Sequence, residues 1–390
     1  MNDSLIINNY MKFIYSIILS VIVFSCNNRT QEVKDEEEGK TSDIELQYAK
    51  GFSIKKNEVS KFVNIKNPWQ GAENVEYKYQ LIHKSDSLVK TLSSFQVIRT
   101  PIERVICLST THIGFLDVLN ETESIVAVSG AKYVNNLKLR DKIETNKLQD
   151  VGYDNSLNYE LIASLKPDLV ISFGISGQVA GYNQKLNDLG IQTMIIAEYL
   201  EMHPLGKLEW LKLIAALFEK EELAQRYFDK KVKSYNSLTS ITKNVENKPD
   251  VLLGLPWKGT WYVPGGNSFL AKMIEDAGGN YIWKDNDARE SLPLGIESIF
   301  AKASEADVWI NTGTINHREK ILDIDNRFKD FAPYNQGKIY NNNLQLNQNG
   351  GNNYWEKGLI EPDVILKDLI KIFQPKLLPN HKLVYYKNID

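Results

Sequence analysis

The stretch NYELIASLKPDLVISF, residues 158–173, decides the fold. Its first half predicts a short helix that Asn158 can cap and that Lys166-Pro167 ends, because proline cannot continue a helix. The apolar run that follows, residues 168–173, does not alternate with polar side chains, so it predicts a strand covered on both faces. A short helix that leads directly into a buried strand is typical of parallel α/β sheets.

Strands and helices alternate on both sides of this stretch. Up to residue 200, the pattern predicts a helix at residues 113–119 and strands at residues 104–109, 125–129 and 192–197. After residue 249, a second series predicts strands at residues 250–255, 307–310 and 338–340 and helices at residues 269–276, 297–303 and 363–373. The sequence therefore predicts two lobes, each built on a parallel sheet.

The segments between and before these lobes complete the predicted fold. Residues 208–242 carry the longest helical stripe, and Lys220-Glu221-Glu222 predicts a break between two helices. Alternating segments at residues 59–63 and 76–81 predict short antiparallel strands within residues 51–100. The predicted fold class is α/β, with two Rossmann-like parallel-sheet lobes joined by a long helix and preceded by an N-terminal β add-on.

The first residues of the chain predict export. The apolar run FIYSIILSVIVFSC, residues 13–26, follows Lys12 and precedes a polar, acid-rich segment, as in a secretory signal. Its end resembles the lipobox of bacterial lipoproteins, which implies that Cys26 carries a lipid, and Met11 is an alternative start to Met1. The other interpretation is an uncleaved anchor helix. Both interpretations place the folded chain in the cell envelope, anchored on the periplasmic side of a membrane.

The length of 390 residues, 43% of them hydrophobic, is sufficient for two ordinary domains with their own cores. Residues 27–50 are polar and acid-rich, which predicts a flexible tether. The predicted organisation is a lipoprotein signal peptide at 1–26, the tether at 27–50, a β add-on at 51–100, an N-terminal lobe at 101–200, linking helices at 201–248, a C-terminal lobe at 249–375 and a tail at 376–390.

Charge, cysteine and histidine content exclude several kinds of function. The formal net charge of −3 shows no basic excess, so we expect no nucleic-acid partner. If Cys26 carries lipid, Cys107 has no partner for a disulfide, and its apolar neighbours predict a buried, inert thiol. The five histidines are scattered without metal-ligand spacing, so we expect no metal site made by the protein itself.

Ligands of parallel α/β sheets meet the loops beyond the carboxyl ends of the strands. Here those loops combine glycines, hydroxyl groups and tryptophans. Trp257 and Trp261 flank a polar turn, which favours a ligand site over the alternative that both are core residues. No nucleophile, base and acid occur together, because Ser109 and His112 share a loop without an acidic partner, so we expect no catalysis. The candidate ligand-binding residues are Thr110, Thr111, His112, Tyr199, Trp257, Lys258, Trp261, Trp283, Arg289 and Trp355.

From residue 102 to about residue 373 the chain resembles the substrate-binding proteins of ABC importers for iron–siderophores, haem and cobalamin. The motifs that carry this resemblance are IERVICLS at 102–109, NYELI at 158–162, LKPDLV at 165–170, DAGG at 276–279 and ADVWI at 306–310. The β add-on and GNNYWE at 351–356 resemble the lipoproteins of the Bacteroidetes type in this family. The resemblance implies two lobes bridged by one stiff helix, with the ligand in the cleft between them.

The resemblance also implies partners. These are a small metal–organic complex, an ABC permease and a membrane reached through the lipid anchor, and the protein is expected to be a monomer without a cofactor of its own. In this family each lobe offers a glutamate to arginines of the permease, and the matching positions are Glu160 and Glu297. The alternative role for each is a first-turn acid that complements the helix dipole, worth about 0.3–1 kcal/mol.

The ligand itself does not follow from the family. An anionic catecholate complex needs several basic residues, and the loops offer few: Lys132, Lys258 and Arg289. The aromatic supply instead suits a corrinoid, haem or a hydroxamate complex. His112 is a candidate axial ligand, and the alternative is a hydrogen-bonding histidine in the cleft or on the surface. Two other functions stay open: a chelatase-like enzyme on the same fold, and a surface lipoprotein that hands its ligand to an outer-membrane receptor.

Overall fold

The computed structural model describes residues 41–153 and 156–389. The predicted signal peptide, the Cys26 lipidation site and most of the predicted tether lie outside the described residues. Among the helices that are described, none combines the length and the apolar content needed to cross a membrane.

The N-terminal region forms a five-stranded sheet in sequential order. Its strands are β1 (Ser42–Ile44), β2 (Phe52–Lys56), β3 (Ser60–Lys66), β4 (Glu76–His83) and β5 (Gln96–Thr100). The expectation of antiparallel strands is confirmed for β1 to β4 and wrong for the last pair, since β4 and β5 run parallel. The long connection at residues 84–95 allows this parallel pairing, because it returns the chain to the end of the sheet at which β4 begins.

The predicted flexible tether is wrong for residues 42–50, which belong to the folded protein. Strand β1 pairs with β2, and the backbone N–H groups of residues 47–49 donate to the buried carboxylate of Glu209 at 2.8–2.9 Å. The N–H groups of Lys50 and Gly51 donate to Glu201, each at 2.9 Å. The composition of this segment gave no sign of its order, because both carboxylates lie about 150 residues further along the chain.

The N-terminal lobe is a parallel sheet in the order β10-β9-β6-β7-β8. Residues Val105 and Leu169 belong to the main core, whereas their neighbours Ile106 and Val170 belong to a second apolar cluster. The sheet is therefore covered on both faces, as the unbroken apolar runs predicted. Its strands are β6 (Val105–Cys107), β7 (Ile125–Val128), β8 (Gln149–Asp150), β9 (Leu169–Ser172) and β10 (Thr193–Ile195), and its helices are α1 (Thr110–Val118), α2 (Leu137–Glu144), α3 (Tyr159–Ser164) and α4 (Gln178–Asp188).

Two helices, α5 (Pro204–Phe218) and α6 (Glu221–Thr242), link the lobes. The predicted break between them is confirmed: the chain turns at Glu219, whose φ of 57° lies in the left-handed region. Every residue of α5 is buried, including Lys207, Glu209 and Lys212, whereas α6 buries one stripe only. The linking element is thus a central core helix followed by a peripheral amphipathic one.

The C-terminal lobe has a sheet in the order β13-β11-β15-β16-β17, parallel except for its last strand. A separate antiparallel ribbon of β12 and β14, which the sequence pattern did not reveal, follows the first strand. The strands are β11 (Asp250–Leu253), β12 (Thr260–Pro264), β13 (Asn280–Tyr281), β14 (Ser291–Gly295), β15 (Val308–Ile310), β16 (Ile339–Asn341) and β17 (Lys387–Asn388). The helices are α7 (Phe269–Asp276), α8 (Ile296–Ala303), α9 (Glu319–Leu322), α10 (Ala332–Asn335), α11 (Asn353–Glu356) and α12 (Pro362–Phe373).

The segment predicted as a C-terminal tail is part of this lobe. The buried carboxylate of Asp368 accepts the backbone N–H groups of residues 384–386 at 2.7–3.1 Å and lies 2.7 Å from the His381 ring. These bonds position β17 beside β16. Strand pairing over so large a sequence separation leaves no local signature in the chain.

Candidate functional site

Each lobe has a topological switch point, where neighbouring strands send their loops in opposite directions. In the N-terminal lobe it lies between β6 and β9, because the chain continues from β6 to β7 on one side and from β9 to β10 on the other. In the C-terminal lobe it lies between β11 and β15, because β13 lies beside β11 on one side and β16 lies beside β15 on the other. The loops after such strands leave a crevice in which ligands of α/β proteins bind.

A cavity of about 270 Å³ lies between the lobes, beside the switch point of the N-terminal lobe. The N-terminal lobe contributes the loops after β9 and β10, and the C-terminal lobe contributes the start of α7 and the approach to β14. The lining residues from the N-terminal lobe are Thr111, Phe173, Ile175, Glu198, Tyr199 and Leu200, and the linking helix α5 adds Lys207. Those from the C-terminal lobe are Pro264, Ser268, Phe269, Leu270, Arg289, Glu290, Ser291 and Trp355.

Aromatic side chains form much of the wall. The rings of Phe173 and Tyr199 meet edge to face with centroids 5.3 Å apart, and the Tyr199 hydroxyl donates to the Gly174 carbonyl at 3.1 Å. Burial raises the pKa of the Tyr199 phenol, so it stays protonated and keeps this bond. Trp355, 46% exposed, projects from α11. Packing and a hydrogen bond therefore hold the wall in place at Phe173 and Tyr199, whereas the wall at Trp355 is accessible to solvent.

Two buried, oppositely charged residues border the same cavity. Glu198 begins the 3₁₀ helix Glu198–Leu200 and is 1% exposed, and Lys207 lies in the first turns of α5. Burial raises the pKa of Glu198 and lowers the pKa of Lys207, since desolvation disfavours each charged form. The Lys207 ammonium lies 3.9 Å from the centroid of the Phe269 ring.

The β add-on also reaches the cavity, which the sequence did not predict. Gln70, in the loop between β3 and β4, lines it and donates its backbone N–H to the Ile175 carbonyl at 3.1 Å. The N–H of Gly71 donates to the Glu290 carboxylate at 2.9 Å. One loop of the add-on therefore touches both lobes at the cavity.

The structure brings four of the predicted ligand-binding residues together: Thr111, Tyr199, Arg289 and Trp355 line the cavity. Thr110 and His112 do not. The His112 ring is fully buried, neither nitrogen has a hydrogen-bond partner among the described residues, and burial lowers its pKa to about 3. The expectation of a hydrogen-bonding or surface histidine is therefore wrong, and the ring does not line the cavity where an axial ligand would act.

The predicted aromatic loop around Trp257 does not line the cavity either. Trp261 is 0% exposed, donates its indole N–H to the Leu253 carbonyl at 2.8 Å and stacks on Trp309, so the core interpretation is correct for it. Trp257 is 62% exposed, with the Lys258 ammonium 4.5 Å from its ring centroid. Trp283 is also buried away from the cavity. Alternation along β12 turns Trp261 inward, a direction that the loop composition could not reveal.

The two predicted docking glutamates occupy equivalent helix positions. Glu160 and Glu297 are exposed second residues of α3 and α8, one in each lobe. Glu297 accepts a hydrogen bond from the Arg327 guanidinium at 2.9 Å, and that guanidinium also binds Asp325. Glu160 forms no ion pair with any described residue, so its carboxylate is available to a partner.

Sequence reasoning missed several cavity residues for identifiable reasons. Phe173 ends the strand predicted at residues 168–173 and Glu198 directly follows the one predicted at residues 192–197, so their position at carboxyl strand ends was a usable signal. Lys207 stands one position before an apolar helical stripe, and its charge gave no sign of burial. Phe269 looked like a core residue of α7, and Gln70 gave no signal at all.

Within the described ranges, no group of three or more His, Cys, Asp or Glu side chains could hold a metal ion.

A family model described as periplasmic binding protein matches residues 105–335, more than half of the chain. The chain belongs to the periplasmic binding protein family. The match covers the N-terminal lobe, the linking helices and most of the C-terminal lobe, and it confirms the resemblance carried by the sequence motifs. The β add-on and Trp355 of this periplasmic binding protein lie outside the matched residues.

Relatives and solved structures agree with this assignment. An uncharacterized lipoprotein of Methanocaldococcus jannaschii is 27% identical over 350 residues, which cover 83% of this chain and 80% of the relative. A periplasmic haem-binding protein from Pseudomonas aeruginosa has a TM-score of 0.56 at 14% identity and covers 74% and 98% of the two chains. A possible iron-binding, periplasmic solute-binding protein from Staphylococcus epidermidis has a TM-score of 0.54 at 20% identity, covering 70% and 99%. At these identities the structures show the shared two-lobe fold.

Proposed function

We propose that this protein is the substrate-binding lipoprotein of an ABC importer. It captures a metal–organic complex, such as an iron–siderophore, haem or cobalamin, between its lobes and delivers it to the membrane permease. The observation that carries the proposal is the cavity between the lobes, whose wall is mainly aromatic and aliphatic with a few polar groups. That composition is typical of sites for organic ligands, where apolar area provides affinity and a few polar groups fix orientation.

The dimensions of the cavity support a partly enclosed ligand. Its volume of about 270 Å³ is slightly below the range of small-molecule pockets, roughly 300–1,000 Å³. A bulky complex would place one side in the cavity and leave the rest at the mouth, where Arg289 and Trp355 are accessible. Similar proteins named for haem or for Fe³⁺-hydroxamate transport support this class of ligand.

Attachment to a membrane is part of the proposal. The apolar run before Cys26 and the two relatives named as lipoproteins support a lipid on that cysteine. Because residues 42–51 are fixed to the fold, only residues 27–41 remain for the tether. The protein would then act in the cell envelope close to the membrane that holds its permease.

Replacing Trp355 with alanine is expected to weaken ligand binding about tenfold without unfolding the protein. The indole lines the cavity but is 46% exposed, and an aromatic contact contributes about 0.5–1.5 kcal/mol beyond area burial, where 1.4 kcal/mol is a factor of ten. The measurement is isothermal titration calorimetry with the complex that binds the wild type. Trp257→Ala is the matched control, since that exposed indole lies outside the cavity. Equal ligand affinities of the two variants would show that α11 does not contribute to the binding site.

A further inference from the structure

The β add-on has two ends with different surroundings. One end contains the loop between β3 and β4, and Gln70 of that loop lines the cavity. Strand β3, Ser60–Lys66, leads to this loop and spans about 20 Å at the usual rise of a strand. The opposite end of the sheet therefore lies about 20 Å from the end at the cavity.

The chain enters the folded protein at that opposite end. Ser42, the first residue of β1, pairs with Lys56, the last residue of β2, and the turn between β2 and β3 follows at once. The connection between β4 and β5 leaves the sheet at the same end, because the start of β3 pairs with the end of β4. We name this part of the add-on the entry end, formed by Ser42, residues 55–59 and residues 83–90.

The entry end lies at the amino ends of the strands of the N-terminal lobe. The Lys84 ammonium lies 3.0 Å from the Glu103 carboxylate and 3.4 Å from the Asp168 carboxylate. Glu103 precedes β6 and Asp168 precedes β9. The loops that line the cavity follow the carboxyl ends of β9 and β10 in the same sheet. A protein that is held at its entry end therefore turns its cavity away from the point of attachment.

Two apolar side chains project from the entry end into solvent. Leu88, in the connection between β4 and β5, is 99% exposed, and Val59, in the turn between β2 and β3, is 48% exposed. Apolar side chains beside lysines suit the interface of a bilayer, where the apolar group reaches the acyl chains and the ammonium group stays among the phosphates. Besides the ion-paired Lys84, the lysines and acidic residues of this end are Lys55, Lys56, Lys90, Glu58 and Asp86, a small basic excess.

We propose that the entry end contacts the membrane that holds the lipid of Cys26, with Leu88 and Val59 between the lipid headgroups and the cavity facing away from the bilayer. The inference rests on the proposed lipid anchor. The fifteen residues 27–41, which separate that cysteine from the fold, reach at most about 50 Å. Because the lipid already holds the chain near the bilayer, two apolar side chains need to add only a weak contact. In this orientation the cavity is open to ligand in the envelope.

The test measures contact with lipid at single labelled positions. Full-length lipidated protein is reconstituted in vesicles of phosphatidylethanolamine and phosphatidylglycerol that carry a nitroxide near the headgroup, and an NBD fluorophore is attached to Leu88→Cys. Cys107 is buried and lipid blocks Cys26, so the dye reacts with the introduced cysteine. Ile175→Cys, 57% exposed at the cavity, is the matched control. The nitroxide should quench the dye on Leu88→Cys about fivefold more strongly than the dye on Ile175→Cys.

A second measurement shows whether the Leu88 side chain itself holds the contact. With the dye on Lys90→Cys, adding Leu88→Asp should lower the quenching about threefold, because a carboxylate is excluded from the acyl region. Ile324→Asp, a comparable change at an exposed position of the C-terminal lobe, is the control and should leave the quenching as it was. Equal quenching with and without Leu88→Asp would overturn the proposed contact.

The other outcomes separate the orientation from the anchor. Equal quenching at Leu88→Cys and Ile175→Cys, or stronger quenching at the second, would overturn the inference and leave the lipid anchor standing. Emission of the Leu88→Cys dye that is already shifted to shorter wavelength in the unlipidated Cys26→Ala protein would show that residues 27–41 or a second copy covers the entry end. That result would also overturn the inference. An N-terminal peptide whose mass lacks the lipid would overturn the proposed anchor, and the inference with it.

Discussion

Replacing Glu160 and Glu297 together with alanine is expected to reduce uptake at least tenfold while leaving ligand affinity unchanged. Both carboxylates are exposed at the first turn of a helix, one in each lobe, and neither lines the cavity. Charged pairs at a protein interface mainly set orientation and association rate. The measurement is ligand uptake, or stimulation of the permease ATPase, in reconstituted membranes.

Single variants and a control pair show whether the two carboxylates act together. Loss of the Arg327 pair and of two dipole contributions should lower stability by about 0.5–2 kcal/mol, too little to unfold the protein. Glu160→Ala should be the more harmful single change, because Glu297 is already partly neutralised by Arg327. Glu58→Ala with Glu305→Ala removes two exposed carboxylates elsewhere and should leave ligand uptake unchanged. Full uptake by the docking double variant would favour the surface hand-off function.

Replacing Glu209 with alanine is expected to lower the free energy of unfolding by about 3–5 kcal/mol. The change leaves Lys212 buried without its 2.8 Å partner and three backbone N–H groups of residues 47–49 without an acceptor. Urea unfolding measures the loss, and limited proteolysis should show new cleavage near residues 42–51.

The matched control for this change is Glu222→Ala on the next helix. Its carboxylate is exposed and, among the described residues, forms an ion pair with Arg226 alone, so the variant should stay within about 0.5 kcal/mol of the wild type. A loss below about 1 kcal/mol for Glu209→Ala would mean that the segment before β2 contributes little to the fold.

The parts of the fold that could be predicted are those determined by residues close together in the sequence. Residues 158–173 form helix α3 and strand β9 as expected, because the capping side chain, the proline and the apolar run all lie within one stretch. The break between α5 and α6 is marked by three adjacent polar residues at 220–222. Two features depend on residues that are distant in sequence: the parallel pairing of β4 with β5 and the strand at residues 387–388. No local sequence pattern predicted them.

The candidate site was predictable in outline and not in detail. Of the residues predicted from loops at carboxyl strand ends, Tyr199 and Trp355 line the cavity, whereas the loops after β11 and β15 do not. Trp257 and Trp261 were placed wrongly because the direction of a side chain depends on strand register, which sequence alone did not fix. Glu198 and Lys207 could not be predicted, because their burial beside the cavity depends on packing between distant parts of the chain.

The central claim is that one metal–organic complex binds between the lobes, and native mass spectrometry tests it most directly. The variant Ile175→Arg places a long charged side chain in the cavity at an exposed position, and Ile324→Arg makes the same change outside it. With haem, cobalamin and ferric siderophores offered in turn, we expect one bound complex per molecule of wild type and of Ile324→Arg, and none for Ile175→Arg. A wild type that retains no complex, or an Ile175→Arg variant that retains it equally well, would contradict the account.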